Sequence, residues 1–246
     1  MYMKNNILQK NSPSGWREVR LGDVADISAG GTPSTTVSAY WNHGNVPWAK
    51  SGEINKRRIY KTENFITKLG LEESSAKIVP ENSVLIALAG QGSTRGKVAI
   101  NNISLATNQS IAFFVPASKL DYRFLFLDLD RRYAELRSIS AGDGGRGGLN
   151  LSLLKSLKIK LPEISEQKRI VAVLETWDQA IEKLVKRIKA KRNIKNGLAQ
   201  QLLSGKKRLP GFEEEWETYK VGNFIDGISE RNRRNQVSRV LSVTNK

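Results

Sequence analysis

The chain has no cysteine among its 246 residues, two methionines and a single histidine, His43. Without cysteine there are no disulfides and no thiolate metal sites, and a reducing cytosol is the natural compartment. One histidine excludes any two-histidine metal site. It sits in a Trp-Asn-His-Gly turn, and no Gly-x-Ser-x-Gly elbow occurs that would supply a serine nucleophile. There is no Pro-Pro pair, so the Pro-Pro-aromatic loop by which an amino-methyltransferase holds an extruded base is missing. The longest apolar runs, residues 84–89 and 111–115, are far too short to cross a bilayer and suit buried strands. Residues 1–14 lack an apolar stretch of signal-peptide length and read as a loose leader.

Acidic residues are the next shortage, and it is local. The chain carries 40 Lys and Arg against 24 Asp and Glu, a net charge of +16. Residues 183–208 hold ten of the basic residues and no acid, and residues 231–246 hold five and no acid. The remaining 25 basic residues are balanced by the 24 acids. Positive charge clustered in this way favours a polyanion through counterion release. The competing readings are a solvated helix face or a basic tail.

Residues 15–161 read as one mixed domain. Residues 16–27 predict a strand and turn, or a short helix, at the domain edge. Turn chemistry is dense from Gly30 to Gly52. Strands are predicted at 83–89, 97–100 and 110–115 from their β-branched and aromatic content, and a helix at 121–137. Residues 149–161 predict a helical turn and then a strand at 157–161. After Pro162 the apolar residues Ile170, Leu174, Trp177, Ile181, Leu184, Ile188, Leu198 and Leu202 follow a helical period. Lys191 and Lys195 interrupt that stripe. Ser165 is the expected cap and Gly205 the expected terminator, which gives a rod of roughly 58 Å. A rod of that length cannot lie wholly on its own domain, so its stripe is exposed unless another helix covers it, the expected cover being a second copy of the same helix; the competing reading is a helix that folds back on the first domain. The fold class is therefore α+β: leader 1–14, globular domain 15–161, long helix 162–205, and a linker with the start of another module over 206–246.

That last segment repeats the first. Residues 215–230 follow residues 15–30 at an offset of 200 positions: Trp16 answers to Trp216, Arg20 to Lys220, Leu21 to Val221, Gly22 to Gly222 and Asp26 to Asp226. A repeat this long is no solenoid unit; it is the opening of a second copy of a whole module.

Three motifs resemble catalytic ones by letter only. Gly142-x-Gly144-x-x-Gly147 lacks the strand and helix that a dinucleotide fingerprint needs. Residues 90–96 lack the Gly-Lys-Ser/Thr ending of a phosphate loop and read as a polar turn presenting Gln91, Thr94 and Arg95, whose side-chain types match base edges. Glu166-Gln167-Lys168 has the letters of a nuclease pair, but it opens the long helix, where a charged first turn is expected. No catalytic residue and no metal site is assigned.

Taken in order, Gly31-Thr-Pro-Ser34, Tyr40-Trp-Asn42, Val46-Pro-Trp-Ala-Lys-Ser-Gly-Glu-Ile54, the run from Ala87 to Val98, Thr107-Asn-Gln-Ser-Ile111 and the run from Leu161 to Ile170 resemble type I restriction–modification specificity subunits. The resemblance covers residues 15–246 and matches one target-recognition domain and one spacer helix of the two that such subunits carry. It implies a non-catalytic, cytoplasmic DNA-recognition subunit that directs adenine methylation and restriction to a split site. In such a subunit two long helices pack antiparallel; here a second copy of the chain would supply the missing one. Double-stranded DNA, modification subunits and restriction subunits are the implied partners. S-adenosylmethionine, ATP and magnesium are expected on those partners, and no cofactor on this chain. Expected base readers are Ser51, Glu53, Gln91, Thr94, Arg95, Asn108 and Gln109; expected phosphate contacts are Lys50, Lys56, Arg57, Arg58, Lys97 and Arg146. The alternatives are a basic helical scaffold or RNA-binding module, a solitary nuclease, and an inactive truncated fragment.

Overall fold

The computed structural model describes residues 15–90, 93–141 and 148–225. Strand β1 (Arg17–Arg20) passes through a 3-10 turn at Leu21–Asp23 into β2 (Ala25–Ala29). Strand β3 (Val46–Ala49) runs into a 3-10 helix, Ser51–Lys56. Short elements follow: β4 (Arg58–Ile59), β5 (Asn64–Ile66), α1 (Lys68–Glu72) and β6 (Ile78–Val79). Next come β7 (Ser83–Ala87), β8 (Val98–Asn101), β9 (Leu105–Thr107) and β10 (Ile111–Pro116). The described elements continue with α2 (Tyr122–Arg131), α3 (Tyr133–Ala141), α4 (Leu151–Ser156), β11 (Lys158–Leu161) and α5 (Ile164–Leu203). This is the α+β architecture, a mixed domain and a long helix, that the sequence predicts. The leader at 1–14, the loop at 142–147 and the tail at 231–246 lie outside the described residues.

The central sheet has the order β2-β10-β7-β8-β4. Its apolar runs are continuous because both of its faces are covered. Val84, Ile86, Ile100 and Phe114 enter one core with Leu21, Phe124, Leu129 and Leu154. Their neighbours Leu85, Ala87, Ala99 and Phe113 enter a second core with Ala49, Ile54, Ile59 and Leu105. A smaller sheet, β5-β3-β9-β6, carries a third cluster around Trp48 and Ile66. Strand β1 pairs antiparallel with β11, so the first and last strands of the domain close on each other.

The helix expected over 121–137 is two helices. Asp121 caps the first, accepting from the backbone N–H of Arg123 and Phe124. At Arg132 the N–H is shared between the carbonyls of Asp128 and Leu129, at 3.2 and 3.1 Å, and this tightening ends α2 before α3 begins. The long helix holds as a single element of 40 residues, roughly 60 Å by its rise per residue. It starts at Ile164, so Ser165 already lies inside its first turn. Gly205, at φ +73, takes up the left-handed conformation that ends helices after their last turn.

The chain forms two compact units, Met1–Ile181 and Glu182–Lys246. The division falls inside α5 rather than at Pro162, because the first turns of the helix are built into the domain. Val171 is fully buried and Ile170 packs against the first core. Gln167, also fully buried, accepts from the Asp121 N–H at 2.9 Å and donates to the carbonyls of Pro162 and Lys119 at 2.8 and 2.9 Å. About two turns further on, Glu175 bridges Arg58 and Arg123. No helix among the described residues is long and apolar enough to cross a membrane.

Candidate nucleic-acid interface

Two segments nearly sixty positions apart meet because β3 and β9 run parallel. Trp48 lies opposite Ala106 and Ala49 opposite Thr107, so the residues that follow each strand leave the sheet at the same edge. From β3 come Lys50 and the 3-10 helix Ser51–Lys56; from β9 come Asn108 and Gln109. The Asn108 N–H donates to the Ala49 carbonyl at 3.1 Å. The Gly31–Ser34 loop joins them: the Gly31 N–H donates to the Thr107 carbonyl at 2.8 Å, and the Thr32 hydroxyl donates to Gln109 Oε1. Gly30 is required here by space, since an added Cβ would lie 2.1 Å from the Thr107 carbonyl oxygen. Trp48 donates its indole N–H to the Gly31 carbonyl and Trp41 donates to that of Ser34, both at 3.0 Å, so two edge-to-face tryptophans fasten the loop.

These segments enclose an open cleft of about 910 Å³ whose lining includes Thr32, Trp41, Lys50, Ser51, Lys56, Asn108 and Gln109. Its charge is balanced. Lys56 binds Glu53 at 3.1 Å and Glu63 at 3.0 Å, and the hydrogen bonds from Glu63 and Glu53 hold its ammonium pKa above the usual lysine value. Glu53 is itself buried and also accepts from the Glu63 N–H. Lys50 and Lys56, the two lysines of the cleft lining, are both exposed. Asn108 lines the cleft, and its Oδ1 is buried with no hydrogen-bond partner within the protein. A balanced, amide-rich cleft of this kind suits the edges of bases better than a phosphate cradle, which needs unneutralised cations.

Of the sequence-predicted base readers, Ser51, Glu53, Asn108 and Gln109 line this cleft. Thr94 and Arg95 lie between β7 and β8, outside it; Gln91 is outside the described residues. The hairpin they sit on borders the cleft wall, because Lys97 donates to Asn55 at 2.8 Å. Of the predicted phosphate contacts, Lys50 and Lys56 line the cleft. Arg57 pairs with Asp130 at 2.9 Å and lies over the Phe126 ring, Arg58 pairs with Glu175, and Lys97 holds Asn55 and Ser93. Arg146 is outside the described residues. Among the described residues no cluster of His, Asp or Glu could hold a metal ion.

Along α5, Leu174, Trp177, Ile181, Leu184, Ile188 and Leu198 are exposed, Trp177 to 67 %. Leu202 is half-buried, and Ile170 packs on the domain core. Val173, Val185 and Ile194 widen the exposed apolar face beyond the predicted stripe. The sequence reading also missed Gln167. Its signal was present: Gln167 precedes Ile170, Val171 and Leu174 at helical spacing, so it shares their face.

Residues 13–192 match the family model described as the type I restriction modification DNA specificity domain. The chain is 27% identical over 182 residues to the EcoR124I/EcoR124II specificity subunit of Escherichia coli, covering 72% of this chain and 44% of that protein. Its fold is similar to the HsdS subunit from Thermoanaerobacter tengcongensis, with a TM-score of 0.56 at 25% identity, over 72% of this chain and 40% of that one. It is likewise similar to a chain solved in work on assembly and conformational transition of the type I R-M system, with a TM-score of 0.60 at 25% identity, over 78% and 45% of the two chains. The chain thus spans less than half the length of these relatives.

Proposed function

The chain belongs to the type I restriction–modification DNA specificity family, and from that premise we propose that its domain reads one half of a split duplex site while catalysing nothing itself. The observation that carries this reading is the convergence at one cleft of three runs that resemble the family, Gly31–Ser34, Val46–Ile54 and Thr107–Ile111, through the parallel pairing of β3 with β9. Ser51, Asn108 and Gln109 read base edges from the cleft, and Thr94 and Arg95 read from the neighbouring hairpin. Glu53 and Lys56 hold the 3-10 helix in place. Lys50 and Lys97 meet phosphates; Arg57 and Arg58 can do so only by leaving their ion pairs.

The exposed stripe of α5 pairs antiparallel with the same stripe of a second copy, which brings a second reading domain and makes the site symmetric and split. Modification subunits docked on this dimer supply S-adenosylmethionine and methylate adenine, and restriction subunits supply ATP- and magnesium-dependent cleavage. The test is selection of bound sequences from a randomised duplex library, with RNA as competitor. Asn108→Ala flattens the preference at one position by about 1–3 kcal/mol, whereas Lys50→Ala weakens all sequences alike and lowers the salt slope by about one. Equal losses on selected and random duplexes for Asn108→Ala would remove it as a reader, and preferential retention on RNA would overturn the duplex assignment.

A further inference from the structure

Helix α5 is held to its domain along one face and then let go. Gln167, Val171 and Glu175 follow at intervals of four, so they share a side of the helix. Gln167 and Val171 are fully buried, Glu175 is half-buried, and every residue from Thr176 to Asn196 is exposed. Glu175 is thus the last side chain of that face that the domain covers.

Its carboxylate is gripped from two sides. Arg58 of β4 donates to one oxygen at 2.9 Å, and Arg123 of α2 donates to the other at 3.4 Å. Arg123 also holds Asp121 at 3.1 Å, and the Asp121 N–H donates to Gln167. Bases and acids therefore alternate, Arg58, Glu175, Arg123, Asp121, in a neutral chain that returns to the helix through Gln167. An isolated surface pair would count for little, but these four side chains form a network and are only 35, 25, 31 and 6 % exposed. Arg58 is itself seated on the central sheet, opposite Ile100 where β4 pairs with β8. Only Arg57 separates it from the 3-10 helix Ser51–Lys56 at the cleft.

Leverage gives this clamp an effect larger than its energy. Glu175 lies about 6 Å along the helix from Val171, and Ile188, near the middle of the exposed stripe, lies about 25 Å from it. Play of about 1 Å at Glu175 becomes about 4 Å at Ile188, more than the rise of about 3.4 Å between base pairs. We propose that Glu175, clamped between Arg58 and Arg123, is the positioning residue that sets the separation of the two half-sites the protein accepts. The proposal rests on the split-site reading above. Gln167 and Val171 fasten the helix to the domain; Glu175 aims it. Arg58 serves this clamp and not a phosphate.

The intact chain is tested on duplexes that carry the selected half-sites at varied separations. The unaltered chain keeps one separation. Glu175→Ala accepts separations at least about one base pair to either side, with the same bases chosen in each half-site. Arg58→Ala widens the profile likewise and leaves the salt slope as it was. A slope lower by about one with an unwidened profile would make Arg58 a phosphate contact and overturn the clamp. Asp178→Asn, at an exposed acid further along the helix, changes neither. The aim of the helix is also read without DNA, by spin labels on Glu81→Cys and Gln179→Cys. Both positions are exposed, the chain has no other cysteine, and the labelled chain is diluted into unlabelled chain. The label-to-label distance has one narrow distribution, and Glu175→Ala broadens it. An unbroadened distribution overturns the proposal and leaves the split-site reading in place; an unaltered chain with no preferred separation overturns that reading and the spacing role with it.

Discussion

Replacing Gln167 by methionine removes three hydrogen bonds while keeping the side chain close to its original length, so the effect is polar rather than one of volume. The Asp121 N–H and the Pro162 carbonyl are left buried without partners; the Lys119 carbonyl lies nearer water and can be resolvated. At about 1–3 kcal/mol for each buried orphan, the variant loses roughly 3–4 kcal/mol. That is a large share of a total stability of about 5–15 kcal/mol. At about 2–4 °C per kcal/mol for a protein of this size, differential scanning calorimetry shows a midpoint lower by about 10 °C. Gln167→Glu keeps the acceptor for Asp121 but turns a carboxylate toward two carbonyls, and is worse than methionine. A shift below about 2 °C for Gln167→Met would refute the view that this amide fastens α5 to the domain.

Gly30→Ala forces a methyl group against the Thr107 backbone and lowers the melting point, whereas Gly52→Ala, with open space around it, leaves melting unchanged; parallel melts of the two variants decide this. Trp177→Asp changes a residue that is 67 % exposed. It leaves stability within about 0.5 kcal/mol but weakens self-association more than tenfold in sedimentation equilibrium, as loss of an aromatic anchor should. Burial pushes the Asp121 carboxyl up, but hydrogen bonding and charge from Arg123 outweigh it and hold it below the usual carboxylate range. A depressed folded value stabilises at pH above the unfolded carboxylate pKa, and that contribution is lost as pH falls through the folded value. Acid unfolding therefore steepens below about pH 4, and Asp121→Asn flattens the slope.

What could be read from the sequence divides by the strength of the local pattern: β3, as short as β8 and β11, lies in the turn-rich stretch and was not visible. The strands at 83–89, 97–100, 110–115 and 157–161 correspond to β7, β8, β10 and β11 within two residues at either end, the first and third as apolar runs and the last through its alternation of apolar residues with lysine. The long helix was equally visible through its period. Strands β4, β5, β6 and β9 were not, since two or three residues carry no periodicity, and it is the pairing of β9 with β3 that builds the cleft. The candidate site was legible as residue types and illegible as relationships. Lys56, Arg57 and Arg58 form a basic run in the sequence, but the fold directs them to Glu53 and Glu63, to Asp130 and to Glu175. The Glu53 pair is local, at i,i+3, but Glu63, Asp130 and Glu175 come from separate stretches of chain, which no local pattern could announce.

The central sheet is a shared wall, with alternate residues of every long strand facing opposite interiors. Neither interior can open without stripping the other of its backing. The wall that supports the helix-bearing side also supports the strands beneath the cleft, so heat should dismantle both in one step, and a cleft with a loosened foundation should never accumulate on the way.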